Sequence, residues 1–271
     1  MLHIATVHYE SPVWVEIQTR YLRAHIDTPY RTWTSLQGID PSYASYFDRV
    51  IDQEGRHSDK LNHLAIEIDA EAVDDDLLMF LDGDAFPIAD PMPLIADGLS
   101  RAPLVAIRRN ENGGDVQPHP SFCVTTIGFW RQIGGDWSQG YRWVNDEGRR
   151  VSDVGGNLLR KLELTNTGWV PVLRSNRTNL DPLFFGIYGD VIYHHGAGFR
   201  GLTQLSRYHA SLAPKRRPRS RVPVLGYWRR RKDWEARRAA DKDLKDRLSQ
   251  LSEEVLAGIQ RDDREWLARF M

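Results

Sequence analysis

Cysteine is nearly missing from this sequence: Cys123 is the single thiol in 271 residues. One thiol excludes an intramolecular disulfide and any zinc site built from several thiolates. Long apolar runs are missing as well. No stretch approaches the roughly 18 apolar residues of a membrane-crossing helix, and the opening MLHIATVHYESP lacks the apolar core of a secretory signal. Net charge is missing too. The 36 Lys and Arg residues stand against 37 Asp and Glu, so no whole-molecule field steers the chain to nucleic acid. There is no internal repeat and no low-complexity block. The expectation is a cytoplasmic protein without a nucleic-acid partner, long enough for one large α/β domain or a domain with an appendage.

What is present alternates between strand and helix patterns. HIATVHY (3–9) is apolar and β-branched, as a strand requires, and YRTWTSL (30–36) reads as a second strand. Between them a helix is predicted, capped by Ser11 with Pro12 in its first turn. That order predicts a βαβ unit and a parallel sheet. HSDKLNHLAIEID sets Leu61, Leu64, Ala65 and Ile68 on one helical face. PLVAIRR (103–109), SFCVTTIGFW (121–130), WVPVL and DVIYHHG are further strand candidates. NENGGDVQPHP is a loop, and VSDVGGNLLRKLEL a loop running into a helix.

The informative stretch is DDDLLMFLDGDAF (74–86). Five apolar residues suit a strand buried on both faces, and Asp82 and Asp84 stand where it ends. Ligands of open α/β sheets bind at the carboxyl ends of the strands. A calcium loop is excluded, because it needs glycine at its sixth position, which here is Pro87. Two chemistries remain. The stretch is similar to the motif of haloacid-dehalogenase-type phosphohydrolases, with Asp82 as nucleophile, although some 80 residues precede it and Phe86 replaces the usual Thr or Val. The other chemistry is a cation held by two carboxylates against a diphosphate, for which Mg²⁺ or Mn²⁺ is suited.

KLNHLAIEIDAEAVDDDLLMFLDGDAFPIADPMPLI (60–95) resembles the region around the DxD motif of GT-A-fold glycosyltransferases, in the layout of the glycogenin and bacterial galactosyltransferase group. VIYHHGAGFR (191–200) resembles that group's late strand, whose histidine completes the metal site. The resemblance covers about residues 3–205. It implies a single α/β catalytic domain over 1–210 with a mixed, mostly parallel central sheet. It implies sugar transfer from a nucleoside-diphosphate sugar to a saccharide or lipid-linked acceptor. The cation would be held by Asp82, Asp84 and one of His194 and His195, which point to opposite faces if the strand continues. Lys60 and Arg200 would meet the donor's charged part, although the family's Lys-Pro-Trp ending is here Arg200-Gly201-Leu202. Asp82 could also hold the ribose. Thr6, Val7 and His8 are the candidates for base and ribose. Ser121, between Pro120 and Phe122 where the family has Asn-Ser-Gly, is the candidate contact to the donor sugar. Asp153 would orient the sugar or accept the acceptor's proton, and could also cap the following helix. Trp137 and Trp143 either stack on sugar or pack. A non-catalytic nucleotide-sugar-binding protein stays open beside the hydrolase. A pyrophosphorylase-type nucleotidyltransferase would want a Gly-rich run after the first strand, and TVHYESPVW has none.

From residue 211 the composition changes. APKRRPRSRVPVLGYWRRRK is rich in Lys and Arg with almost no acids, and Leu244, Leu248, Leu251, Val255 and Ile259 then recur at helical spacing. Residues 211–271 are expected to be a basic linker and an amphipathic helix, serving a homodimer or a peripheral contact on the inner membrane face.

Overall fold

The structure, a computed structural model, describes residues 1–145, 148–196, 223–261 and 265–271, with side chains of the long C-terminal helix from residue 231 onward. The chain divides into two compact units, Met1–Phe199 with Leu267–Met271, and Arg200–Trp266.

The first unit is built on a seven-stranded sheet in the order β10-β6-β7-β4-β1-β2-β3. Its strands are β1 (Leu2–Tyr9), β2 (Tyr30–Gln37), β3 (Arg49–Val50), β4 (Leu77–Asp82), β6 (Leu104–Ile107), β7 (His119–Thr126) and β10 (Val170–Val172). All are parallel except β7, which runs against both β4 and β6. The central strands are apolar on both faces because helices cover both faces. Along β4, Leu78 and Phe80 enter one core with Trp33, Leu64 of α2 (His57–Glu71), Trp130 of α4 (Ile127–Ile133) and Leu158 of α5 (Gly156–Leu164). Met79 and Leu81 enter the other core with Leu22 of α1 (Val13–His25) and Ile95 of α3 (Met92–Arg101).

A three-stranded sheet, β11 (Gly186–Tyr188), β12 (Ile192–His194) and β5 (Ala85–Pro87), lies next in the chain to the acid pair, since β5 starts directly after Asp84. β8 (Trp143–Val144) and β9 (Arg150–Val151) form a two-stranded ribbon. Two local expectations fail. Ser11 does not cap α1: Pro12 holds the cap position with no side-chain bond, and the Ser11 amide turns back to Tyr9 O at 2.7 Å. The strand expected over 121–130 ends at Thr126, whose hydroxyl accepts the Phe129 N–H at 3.1 Å and starts α4. A threonine cap outweighs the β propensity of the apolar residues after it.

The second unit contains a 39-residue helix, Pro223–Arg261. Leu248, Val255 and Ile259 of the expected stripe are buried, while Leu244 and Leu251 are partly so. Gly258 faces Trp266 so closely that a Cβ there would meet the tryptophan Cβ at 2.8 Å. The basic residues 211–222 lie outside the described residues. The last five residues belong with the first unit: Phe270 is buried, its ring is 5.9 Å from that of Tyr193, and its carbonyl accepts the amides of Arg177 and Thr178. Among the described residues, no helix is long and apolar enough to cross a membrane.

Candidate metal and donor site

The parallel register sets the site. Val7 is opposite Asp82, so β1 and β4 end side by side at the carboxyl edge of the sheet. The chain turns at Gly83, where a Cβ would lie 2.6 Å from Val7 O and 2.8 Å from His8 Nδ1. Only glycine permits that approach, which packs the turn against the end of β1. Gln18 braces the turn from α1, its amide nitrogen donating to Asp82 O and Ala85 O, both at 2.8 Å. That leaves its oxygen to accept from His8 Nε2 at 3.1 Å. His8 is therefore Nε2-protonated, which makes Nδ1 its acceptor nitrogen, and burial lowers its pKa to about 4.

His194 reaches the acids through strand pairing. β12 runs antiparallel to β5 with His194 opposite Ala85, and the His195 amide donates to Asp84 O at 3.0 Å. His194 Nε2 is then 3.5 Å from Asp84 Oδ1 and 3.8 Å from Asp82 Oδ2. Asp82, Asp84 and His194 form a group able to hold a metal ion, one ligand atom from each lying within 4.8 Å of the others. Burial alone would depress the His194 pKa, but the two carboxylates, Asp84 foremost, raise it on balance. Asp82 Oδ1 is buried without a hydrogen-bond partner. A carboxylate oxygen in that condition costs energy unless something positive meets it.

His195 faces the other way. Its ring packs between Trp14 at 4.7 Å and Phe185 at 4.8 Å, its Nδ1 meets Tyr193 Oη at 2.9 Å, and burial holds its pKa near 4. The strand's alternation separates the two imidazoles, and His194 is the one among the acids.

Around this centre the remaining candidates fall in two places. Lys60 is buried at the ends of β1 and β2, donating to Gln37 Oε1 with its ammonium 5.5 Å from the Tyr9 ring, and burial lowers its pKa. Thr6 is buried on β1 with an unpartnered hydroxyl. On the opposite side Arg109 binds Asp153 at 3.0 Å and Asp115 at 2.8 Å, and its charge also acts on His119 and His194. Burial pushes the Asp115 carboxyl up in spite of Arg109. Asp153 Oδ1 accepts the Val154 N–H at 2.8 Å. It does not cap α5, because Gly155 in the left-handed region (φ 85°) occupies that position. Ser121 is buried, its hydroxyl 2.8 Å from His119 Nδ1, and the His119 ring is 5.9 Å from His194. Trp137 and Trp143 are buried in the fold and present no open face to a sugar. Arg200 lies outside the described residues.

Sequence reasoning missed His57, Arg109, Asp115, His119 and Gln18. His57 opens α2 and brings Nε2 to 3.2 Å from Asp82 Oδ1. Gln18 carried a signal: it is a polar residue on the buried face of α1, beside Trp14, Ile17 and Leu22. His57, Arg109 and His119 carried none, because what brings them to the site is their approach to Asp82, Asp153 and His194, all distant in sequence. Asp115 follows Arg109 into the site from a loop of no fixed local pattern.

No family model and no curated protein matches the chain. Solved structures do show similarity. A mannosyltransferase, PcManGT, from Pyrobaculum calidifontis in complex with GDP-Man and Mn²⁺ is 10% identical with a TM-score of 0.38, over 51% of this chain and 47% of that one. The glycosyltransferase GlyE of Streptococcus pneumoniae is 13% identical at 0.40, over 63% and 44%. The galactosyltransferase LgtC, in complex with donor and acceptor sugar analogs, is 13% identical at 0.41, over 88% and 95%. The chain spans less than half the length of the first two.

Proposed function

We propose that the protein is a metal-dependent glycosyltransferase of GT-A layout, moving a sugar from a nucleoside-diphosphate sugar to a saccharide or lipid-linked acceptor. The observation that carries the reading is the convergence of Asp82, Asp84 and His194 at the carboxyl end of the central strand, with one Asp82 oxygen buried and making no hydrogen bond. Two carboxylates and an imidazole suit Mn²⁺ or Mg²⁺. When bound, the ion would neutralise the diphosphate so that it can leave.

The chain's own residues supply the rest. Asp84, Asp82 and His194 would hold the ion. Lys60, fixed where β1 and β2 end, supports a role at the nucleotide end of the donor, beside Thr6, Val7 and His8. Arg200 keeps the diphosphate role on the sequence resemblance alone. Ser121 is a donor contact in this reading, acting through the His119 it hydrogen-bonds. Asp153 is pinned by Arg109 and by the Val154 amide, which supports an oriented acceptor for a sugar hydroxyl more than a mobile base. Residues 211–271 serve association, as a homodimer contact or a peripheral contact on the inner membrane face of a cytoplasmic enzyme.

Calorimetry with UDP and GDP, first with Mn²⁺ and then with EDTA, tests the site. Donor binding that needs the ion is expected, and equal affinity in both conditions sinks the proposal. A phosphoenzyme at Asp82 would replace it with the phosphohydrolase. For the tail, removal of residues 211–264, joining 210 to 265, should change mass or liposome binding more than nucleotide affinity. Keeping the last residues matters because Phe270 packs beside Tyr193.

A further inference from the structure

We propose that His57 is a fourth protein ligand of the cation, entering from the first turn of α2 rather than from the strand ends that carry the other three. The inference rests on the metal-site reading above and adds a residue to it. Asp82 is straddled by two imidazoles: His57 Nε2 stands 3.2 Å from Oδ1, and His194 Nε2 stands 3.8 Å from Oδ2. The Oδ1 atom is buried and yet makes no hydrogen bond, so the imidazole beside it is close without being aligned as a donor. Ligand atoms sharing an ion at bond lengths of roughly 2.0–2.6 Å and right angles lie about 2.8–3.7 Å apart. The His57–Asp82 and His194–Asp84 separations, 3.2 and 3.5 Å, fall in that interval.

His57 meets the compact Asp82–Asp84–His194 group through Asp82 alone, so coordination requires its ring to swing inward. The ring is free enough to do so. Its side chain is 35% exposed, and it sits at a helix start, while His194 is 10% exposed and fixed in a strand. A second imidazole also changes which metal the site prefers. Carboxylate and water suit Mg²⁺ and Mn²⁺ alike, whereas imidazole favours the first-row transition ions over Mg²⁺, Mn²⁺ the least of them. His57 therefore lowers the site's relative preference for Mg²⁺, and the Mn²⁺:Mg²⁺ affinity ratio reads that change.

The test uses the full chain titrated with Mn²⁺ alone, followed by calorimetry and by pulsed EPR, which detects coordinated imidazole nitrogen. Wild type is expected to show two imidazoles, and H57A one, with Mn²⁺ affinity about tenfold weaker and a smaller Mn²⁺:Mg²⁺ ratio. His57→Gln, which keeps size without the imidazole, should behave like H57A, and circular dichroism verifies the fold of both. A single imidazole in wild type, or unchanged Mn²⁺ affinity in both variants, overturns the proposal while leaving the three-ligand site standing. Tighter Mn²⁺ binding by H57A overturns it too and makes His57 a competitor for Asp82. Absence of Mn²⁺ binding by wild type, with or without UDP, removes both readings together.

Discussion

A histidine–aspartate contact stands at each end of β4, and the two contacts are built differently. At the amino end, Asp76 accepts the N-terminal amine at 2.7 Å, His3 Nε2 at 3.4 Å and the Val73 amide at 3.2 Å, while His3 Nδ1 accepts the Trp33 indole N–H at 3.2 Å. Every partner is matched, and the amine bond foremost holds the Asp76 carboxyl below its ordinary range. At the carboxyl end, Asp82 has imidazoles on both oxygens and still leaves Oδ1 without a hydrogen bond. The same residue types make a structural clasp at one edge of the sheet and a centre with an unsatisfied oxygen at the other, where the histidines come from α2 and β12 instead of β1. Residue identity does not separate structure from function here. Completeness of hydrogen bonding does.

The sharpest way to break the comparison is to remove one acid from each end. Asp84→Ala should lower transfer by roughly a hundredfold or more, since the ion's charge stabilisation is worth several kcal/mol, with little change in melting temperature. Asp76→Ala should leave nucleotide binding intact and cost about 1 kcal/mol of stability from lost hydrogen bonds. Turnover and thermal melts on the same preparations decide it, and full activity in a folded D84A protein would show that both ends are structural.

Gly83→Ala comes next. Its Cβ would press on the Val7 carbonyl, which is backbone and cannot step aside cheaply. Stability should fall by about 1–3 kcal/mol, and Mn²⁺ affinity should fall with it, because the acid pair is displaced. Gln18→Ala should act in the same direction more weakly, removing two hydrogen bonds to the turn at roughly 1 kcal/mol each. Urea denaturation and Mn²⁺ titration measure both variants. Loss of stability without loss of Mn²⁺ affinity would mean that the brace does not position the site.

The effect least tied to a single residue is in pH. His8 and His195 are buried neutral, with pKa values lowered to about 4 from 6.5. The unfolded chain takes up protons below 6.5 that the folded chain takes up only near 4, so stability falls as pH drops through that window. His194, raised by its acids, runs the other way and offsets part of the loss. Asp76 keeps its contribution until pH falls below about 3.8, its unfolded value. Denaturation at pH 7, 5.5 and 4.5 should show the decline, and His195→Gln should flatten it. A slope unchanged by that substitution would locate the acid sensitivity elsewhere.

The sequence by itself determined the central strands, because LLMFL and HIATVHY can only be buried on both faces, and it determined that the acid pair closes one of them. It also carried the His194–His195 step and their opposite facings, since side-chain direction along a strand is a local property with period two. It could not decide which histidine meets the acids. That follows from the pairing of β12 with β5, between residues more than a hundred positions apart. Nor could it show that Arg109 gathers Asp115 and Asp153, that His57 reaches Asp82 from a helix start, or that Trp137 and Trp143 are spent on packing. Thr126 and Gly155, as caps, were misread because an apolar run and an acid before a helix each admit two local conformations. Only tertiary structure chose between them, for the physical reason that burial and hydrogen-bond satisfaction are properties of the whole packed chain and not of any stretch of it.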